Sequence, residues 1–344
     1  MNVGIVGSTG YGGVELHRLL SNHPNVNNCI LYSSSLDGAP YADQYPHLFN
    51  LSHEVVNPIN IEEMKQLDFV FLAVPSGVSK ELSQKLLGEK AKVIDLSGDL
   101  RLKNPQEYEE WYKGESASSD VLQKAVYGLT ECNRQSIQEA ELIANPGCFP
   151  TATLLGLAPL FHHELIDPHS IIIDAKTGLS GAGRKATQSS HFSETQENLR
   201  IYKVHQHQHT PEIEQQLKGW NSEAGPITFT THLIPMIRGI MATMYTELKS
   251  TYTTVQLHNI YQDYYEKHPF IRIRPVGQFP STKEVFGTNF CDIAIKVDSR
   301  TNRVTIVSVI DNLLKGAAGQ AVQNMNVMLG LDETTGLHHY PIYP

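Results

Sequence analysis

The sequence predicts an α/β protein built on two sheets: a doubly wound parallel sheet, and a mostly antiparallel sheet in an α+β domain. Three observations carry this prediction. Short apolar segments alternate with helix-like ones from residue 2 to residue 144. Beyond Cys148 the strand-like segments become longer, β-branched and alternating. Between the two regimes stands NPGCFPT, residues 145–151, whose prolines and glycine interrupt any regular element. Strands buried on both faces read as continuous apolar runs, and half-covered antiparallel strands read as alternation. The domains are placed at 1–147 with 315–344, and at 148–314.

The chain opens with NVGIVGSTGYGGVELHRLL. Val3, Ile5 and Val6 suit a buried strand, and Val14, Leu16, Leu19 and Leu20 recur at helical spacing. Gly7, Gly10 and Gly13 lie between them as GxxGxxG. Such glycines permit a sharp turn and let backbone approach a pyrophosphate seated on the helix N-terminus. Strand, glycines and helix in that order predict a dinucleotide site rather than a plain βα turn. A second strand, Asn28 to Tyr32, runs into Ser33-Ser34-Ser35, with no acidic residue before Asp37. An acid there would hold a ribose 2′-hydroxyl; hydroxyls alone leave room for a 2′-phosphate, so NADP is the expected cofactor. Further strands are expected at 68–75 and 92–97, with a helix opening at Ser76 and running through Leu87. Ligands of doubly wound sheets lie beyond the carboxyl ends of the strands, so Gly7, Ser33, Ser35, Pro75 and Ser97 line one crevice. Residues 103–124 are polar and read as a solvated excursion.

Glu141 to Ala144 is a further strand-like run. Pro146 and Gly147 then force a tight turn, and Pro150 suits the first position of a new helix. Cys148 is therefore expected at a strand-to-helix elbow, near N–H groups that no carbonyl of its own helix satisfies. Those groups and the helix dipole favour a thiolate. From this stretch alone, a buried small hydrophobe and a nucleophile both remain open. Five strand-like segments follow, at 170–175, 227–231, 242–248, 292–297 and 304–309. A last helix from Gly316 to Leu329 is expected to pack back on the first domain.

At 344 residues the chain is long enough for two packed cores. A hydrophobic content of 40% with 18% charged residues is ordinary for a globular protein. The net charge of −9 argues against a nucleic-acid or anionic-membrane partner. Cys29, Cys132, Cys148 and Cys291 are far apart and form no CxxC pair, which suits a reducing compartment better than a disulfide framework or structural zinc. No apolar run reaches about 18 residues. With a strand directly at the start rather than a basic leader, a cytoplasmic protein is expected.

His205, His207 and His209 fall in HQHQHTPEIEQ and would share one face of an extended segment. Metal sites draw ligands from distant segments, and nothing here supplies them, so no metal is expected. An acid/base role for one imidazole, which titrates near neutral pH, is preferred over a surface or core role. Thr210 is placed as the cap of the next helix and Pro211 at its first position, with Glu212 able to accept a ring's second N–H. GLSGAGRK, residues 178–185, ends in Arg184 and Lys185. It reads either as an oxyanion-binding loop or as a flexible loop with solvated charges. Arg238, in IPMIRGI, is either half of a structural ion pair or the partner of an anionic substrate. A dinucleotide site, a thiol at an elbow, a histidine and several cations together describe acyl transfer to sulfur followed by hydride reduction to an aldehyde.

GSTGYGGVEL, DLSGDLRL, VYGLTE, NPGCFPT, SGAGRKA, HQHTPEI, LIPMIRGI and DNLLKGAAGQAVQNMN are spread over essentially the whole chain. Together they resemble the N-acetyl-gamma-glutamyl-phosphate reductases of arginine biosynthesis. The related aspartate-semialdehyde dehydrogenases share the glycine turn, the cysteine elbow and the SGAG loop. The resemblance implies that Cys148 is the nucleophile and His207 the acid/base, with His209 and Glu212 behind them or at the substrate. Arg184 and Arg238 are implied for the substrate's carboxylate or phosphate. Ser8, Thr9, Gly10, Tyr11 and Gly12 would cradle the cofactor pyrophosphate, Gly181 would touch the cofactor, and Asn312 would approach its nicotinamide. Two positions depart from the pattern: Ser34 stands where an arginine is common, and Gln208 where a basic residue is common. The implied reaction is NADPH-dependent reduction of N-acetylglutamyl 5-phosphate through a Cys148 thioester, carried out by a dimer or tetramer of this chain. One rival is the same chemistry on aspartyl phosphate. A rival of another kind is a redox-sensing dinucleotide-binding module in which Cys148 only signals oxidation.

Overall fold

The computed structural model describes residues 1–343 and separates into two compact units. Residues 1–146 and 317–338 form one; residues 147–316 and the tail from His339 form the other. The tail thus departs from the sequence expectation, which assigned it to the first domain. Its Ile342 N–H donates to the Phe286 carbonyl at 3.1 Å, and Lys283 Nζ stands 6.0 Å from the Tyr343 ring centroid.

The first unit holds β1 (Asn2–Val6), β2 (Asn28–Tyr32), β3 (Val56–Asn57), β4 (Phe69–Leu72), β5 (Lys92–Asp95), β6 (Ala125–Tyr127) and β7 (Leu142–Ala144). All neighbours are parallel, in the order β3-β2-β1-β4-β5-β7-β6. Ile5 faces Leu31 on one side and Phe71 on the other, so the centre of the sheet is continuous hydrocarbon. Strand order reverses between β1 and β4, the switch point where open sheets take ligands. The connecting helices are α1 (Tyr11–Leu20), α2 (Tyr41–Gln44), α3 (Ile61–Met64), α4 (Ser79–Leu86), α5 (Pro105–Tyr112), α6 (Ser119–Lys124) and α7 (Thr130–Glu139). Residues 103–124 are not the solvated excursion expected. Asn104 caps α5, the Tyr108 ring stacks on Tyr112 at 4.6 Å, and the buried Tyr108 hydroxyl donates to Asp99 at 2.7 Å. The last helix begins later than expected, at Gly319, after a π-helical turn over Leu314–Ala318. It packs on α1 and α7, and its Gln320 and Asn324 amides both donate to the Gly128 carbonyl.

The second unit contains β8 (Ile172–Thr177), β9 (Arg200–Tyr202), β10 (Thr228–Leu233), β11 (Ile240–Glu247), β12 (Ile271–Ile273), β13 (Cys291–Asp298) and β14 (Arg303–Ile310). Their order is β12-β13-β14-β11-β8-β10-β9. Pairing is antiparallel except between β8 and β10 and between β12 and β13. Its helices are α8 (Cys148–His162), α9 (Phe192–Thr195), α10 (His209–Trp220) and α11 (Thr254–Tyr265). Ile173, Ala175, Phe229, Ala242, Met244 and Ile306 fill the face on which α8 lies. The other face carries Asp174, Lys176, Thr230, His232, Thr243 and Tyr245, all at least partly exposed. α8 tolerates Pro159 because the carbonyls near it are rescued: Tyr265 donates to Leu155 O, which the missing proline N–H would have served, and Tyr261 donates to Gly156 O.

Candidate functional site

In the first unit, the glycine turn leaves β1 at the switch point. Gly7 has φ +83°, and a Cβ on it would lie 2.3 Å from the Ala73 carbonyl at the end of β4, so only glycine fits there. Ser8 is buried, with its hydroxyl donating to Tyr32 O at 3.2 Å. Thr9, Gly10, Tyr11 and Gly12 are half-buried along the turn. A Cβ on Gly10 or Gly12 would meet nothing closer than 3.6 and 3.9 Å, so this side is open. The first turn of α1 has neither a side-chain cap nor an acidic residue. Orphan N–H groups, a dipole end and open space fit a pyrophosphate.

The N-terminus of α4 offers the contrast. There Asp99 accepts the Gly77 N–H at 2.7 Å and the Lys80 N–H at 3.1 Å, so an internal carboxylate already neutralises that end. Ser33 Oγ accepts the Ser35 N–H at 3.2 Å, and Pro75 is exposed just past β4. Ser97 is buried in a polar network: its hydroxyl donates to Asp95 at 3.0 Å, accepts the Asp99 N–H at 3.1 Å and lies 2.6 Å from Ser79 Oγ. Burial pushes the Asp95 carboxyl up to about 6. Beside this network Arg101 Nε donates to the Asn145 carbonyl at 2.8 Å, and the Asn145 N–H donates to Asp95 O at 2.8 Å.

In the second unit, Cys148 is the first residue of α8, and Gly147 occupies the cap position. The helix therefore starts two residues before the expected Pro150, which falls within the first turn, where no N–H is needed. Glu212, fully buried, accepts the Gly147 N–H through Oε1 at 2.8 Å. The sequence expectation set this carboxylate against a histidine ring; the structure sets it under the elbow. Cys148 is partly exposed. Gly316 lies against it so closely that a Cβ there would come within 2.8 Å of the Cys148 Cβ.

The histidine segment is not extended. Lys203 and His205 have φ of +47° and +54°, so the chain curls, His205 faces solvent, and His207 and His209 turn inward. Gln208 is already helical, which makes it the cap of α10 and moves Thr210 inside the helix. Phe149, next to the thiol, meets His207 and His209 edge to face, with ring centroids 5.3 and 6.0 Å apart. Tyr202 and Phe229 complete the enclosure of His207 at 5.7 and 5.6 Å. Burial first, and then the Lys203 cation, push His207 down to about 3, so the ring is neutral. Its Nδ1 accepts the His209 N–H at 3.1 Å, which leaves the ring proton on Nε2 as a donor. Burial and the neighbouring Cys148 charge push the Tyr202 hydroxyl above its ordinary range. Gln208 Oε1 holds the Lys203 ammonium at 2.6 Å.

The SGAG and IPMIRG loops are bonded together: Ser180 N–H donates to Ile237 O at 3.0 Å and Gly178 N–H to Gly239 O at 3.0 Å. Asn312 bridges them, accepting the Gly239 N–H at 2.7 Å and donating to Ser180 Oγ at 2.9 Å. Gly181 lies beside it, where an added Cβ would stand 3.9 Å from Asn312 Nδ2. Arg238 is paired with the buried Asp311 at 3.6 Å and lies 5.7 Å from the Phe286 ring centroid. Arg184 is on the exposed outer part of the loop. Glu212, Tyr202, Lys203, Asp311 and Gly316 surround the candidate positions; Glu212 carried a sequence signal, Asp311 and Gly316 only their place in the DNLLKGAAGQAVQNMN run, and Tyr202 and Lys203 none. Among the described residues, no group of three or more His, Cys, Asp or Glu side chains could hold a metal, and no helix is long and apolar enough to cross a membrane.

A parallel-sheet unit with an open glycine turn, joined to a mixed-sheet unit with a thiol at a helix N-terminus, is the plan of the semialdehyde dehydrogenases. Residues 2–140 match the semialdehyde dehydrogenase NAD binding domain, and residues 148–312 match the semialdehyde dehydrogenase dimerisation domain. The fold is shared with aspartate semialdehyde dehydrogenase II from Vibrio cholerae (TM-score 0.73, 18% identity, covering 96% of this chain and 98% of that one). The Candida albicans aspartate semialdehyde dehydrogenase with NADP has it too (TM-score 0.71, 14% identity, 95% and 98% covered). At the level of sequence, the chain is 60% identical to the N-acetyl-gamma-glutamyl-phosphate reductase of Bacillus subtilis, over all of both chains. It is 57% identical to that of Geobacillus kaustophilus, again over all of both. The chain belongs to the N-acetyl-gamma-glutamyl-phosphate reductase family.

Proposed function

We propose that the protein reduces N-acetylglutamyl 5-phosphate to N-acetylglutamate 5-semialdehyde and phosphate, using NADPH, as a step of arginine biosynthesis in the cytoplasm. The observation that carries this reading is the thiol at the α8 N-terminus, directly after the cap Gly147 and next in sequence to Phe149, whose ring packs on the enclosed, neutral imidazole of His207. The Cys148 thiolate attacks the acyl carbon, the carbonyl becomes an oxyanion, and phosphate leaves with the C–O bond electrons to give a thioester. Ser8, Thr9, Gly10, Tyr11 and Gly12 would hold the pyrophosphate of NADPH, which when bound would supply the hydride that takes this thioester to the aldehyde level. The resulting alkoxide re-forms a carbonyl and expels Cys148 as thiolate, which completes the cycle without a net proton change on the enzyme. His207 supports both oxyanions as a hydrogen-bond donor through Nε2–H, a role open to a neutral ring. Arg238, aligned by Asp311, and Arg184 are the cations for the substrate's carboxylate and phosphate.

N-acetylglutamate semialdehyde plus phosphate should reduce NADP, followed as NADPH absorbance, faster than it reduces NAD. Aspartate semialdehyde at equal concentration should give little. Preference for the latter substrate would overturn the reading. Cys148→Ala should abolish turnover while leaving NADPH binding intact. A Cys148→Ala enzyme that still turns over would remove the thioester. We also assign the open face of the second sheet, with Thr243 and Tyr245 at its centre, to a homodimer interface. Light scattering should show a dimer that Tyr245→Asp converts to monomer.

A further inference from the structure

Tyr41 and Tyr45 belong to no motif named above, yet both hydroxyls end on the glycine turn. Tyr41 Oη donates to the Ser8 carbonyl at 2.7 Å. Tyr45 Oη donates to the Thr9 carbonyl at 3.0 Å and reaches the Gly10 carbonyl at 3.4 Å. The two rings meet edge to face at 5.4 Å, and His17 of α1 packs against Tyr41 at 5.0 Å. Tyr41 is fully buried and Tyr45 nearly so, hence neither phenol can swing away without opening that packing.

The residues between β2 and β3 form the platform that delivers these rings. Tyr41 N–H donates to Glu54 O at 2.9 Å and Val56 N–H to Ala39 O at 2.9 Å, which closes the segment on itself. A shorter connection would join the two strands; this one reaches back over the turn.

In a trans peptide the carbonyl and the following N–H point in opposite directions. A carbonyl held toward the tyrosines therefore shows its electropositive edge on the opposite side. The Gly10 carbonyl is fixed independently by the Val14 N–H of α1 at 3.0 Å, but the Ser8 and Thr9 carbonyls, left unheld, could rotate, and one facing the ligand side would set its oxygen against an anion. We propose that Tyr41 and Tyr45 are positioning residues, holding the Ser8 and Thr9 carbonyls away from the cofactor pyrophosphate so that the turn is ordered for an anion before it binds. The proposal rests on the reading that a dinucleotide binds at this turn. Its gain is preorganisation: a turn already ordered loses less freedom on binding.

Tyr41→Phe and Tyr45→Phe keep the rings and remove only the hydroxyls. Each is tested in the full chain by calorimetric titration with NADPH, and with adenosine 2′-phosphate, which has no pyrophosphate. Each variant should weaken NADPH binding by about three- to tenfold, the worth of one net hydrogen bond, and leave adenosine 2′-phosphate binding unchanged. Unchanged NADPH affinity in both variants overturns the proposal, and so does a parallel weakening of both probes, which would mean that the platform itself had loosened. Tyr45, at the edge of the packing, gives the decisive variant if Tyr41→Phe fails to fold. If the unaltered protein binds neither probe, the dinucleotide reading fails, and this proposal with it.

Discussion

Replacing Gly316 by alanine should cripple the thiol while leaving the fold in place. The added Cβ would stand 2.8 Å from Cys148 Cβ, 3.2 Å from its Cα and 3.3 Å from Ile310 Cδ1. Carbon atoms are comfortable from about 3.5 Å, so the cysteine has to yield by about 0.7 Å. Gly316 does not have a left-handed backbone, and it lies in a helical turn, so alanine is permitted. Better helix propensity, about 1 kcal/mol, offsets part of an overpacking cost of about 1–3 kcal/mol. What is left is a displaced Cys148, the proposed nucleophile, and a shift of about 1 Å at a reacting group costs about a hundredfold in rate. The assay is phosphate-dependent semialdehyde oxidation, read as NADPH, with thermal unfolding measured in parallel. We expect kcat to fall about ten- to a hundredfold and the unfolding midpoint to move by only a few degrees. An alanine variant with the native kcat would refute the reasoning, as would a loss of rate that follows a loss of fold.

His207 makes stability depend on pH with a defined sign. Its pKa lies near 3 in the fold against 6.5 as an ordinary imidazole, so the unfolded chain takes up the proton first as pH falls. The stabilisation from the neutral ring is complete above pH 6.5 and is lost between 6.5 and 3. Asp95, raised to about 6, acts in the opposite direction over much of that range, so the comparison has to be with His207→Gln, whose unfolding midpoint should fall less steeply on acidification. Equal slopes would show that the ring is not held neutral. Lys203→Met removes the cation that disfavours the imidazolium, and the His207 ring should then titrate at higher pH in an NMR titration of its C–H signals; an unmoved ring would place the ammonium elsewhere.

How much of this was legible beforehand follows from how local each signal is. The strand, glycines and helix at residues 2–20 are contiguous, and so are the prolines and glycine that bracket Cys148, so both turns could be read directly. The helix start was misplaced because Pro150 suits any position of a first turn, and the backbone begins to wind at Cys148. Long-range partners left little trace. Glu212 reaches Gly147 across 65 residues, and nothing in PEIEQ says which N–H its carboxylate will take. The spacing of the histidines suggested one shared face, but that inference assumed extended backbone, and two left-handed residues with no glycine to announce them undo it. Tyr108, Trp111 and Tyr112 do recur at the helical spacing i, i+3, i+4 inside the polar stretch, a signal that composition outweighed, while the bond from the Tyr108 hydroxyl to Asp99 exists only in the folded chain.

Asp99 has one more consequence. Near the middle of the parallel sheet two helix ends point positive charge at the same rim, and a side chain of the protein itself sits permanently on the second of them. That carboxylate is a built-in counter-ion, a stopper in the berth a phosphate would otherwise find. Of these two helix ends, the one at α1 is left open to the negative bridge of the proposed coenzyme, so the choice between them is made by exclusion.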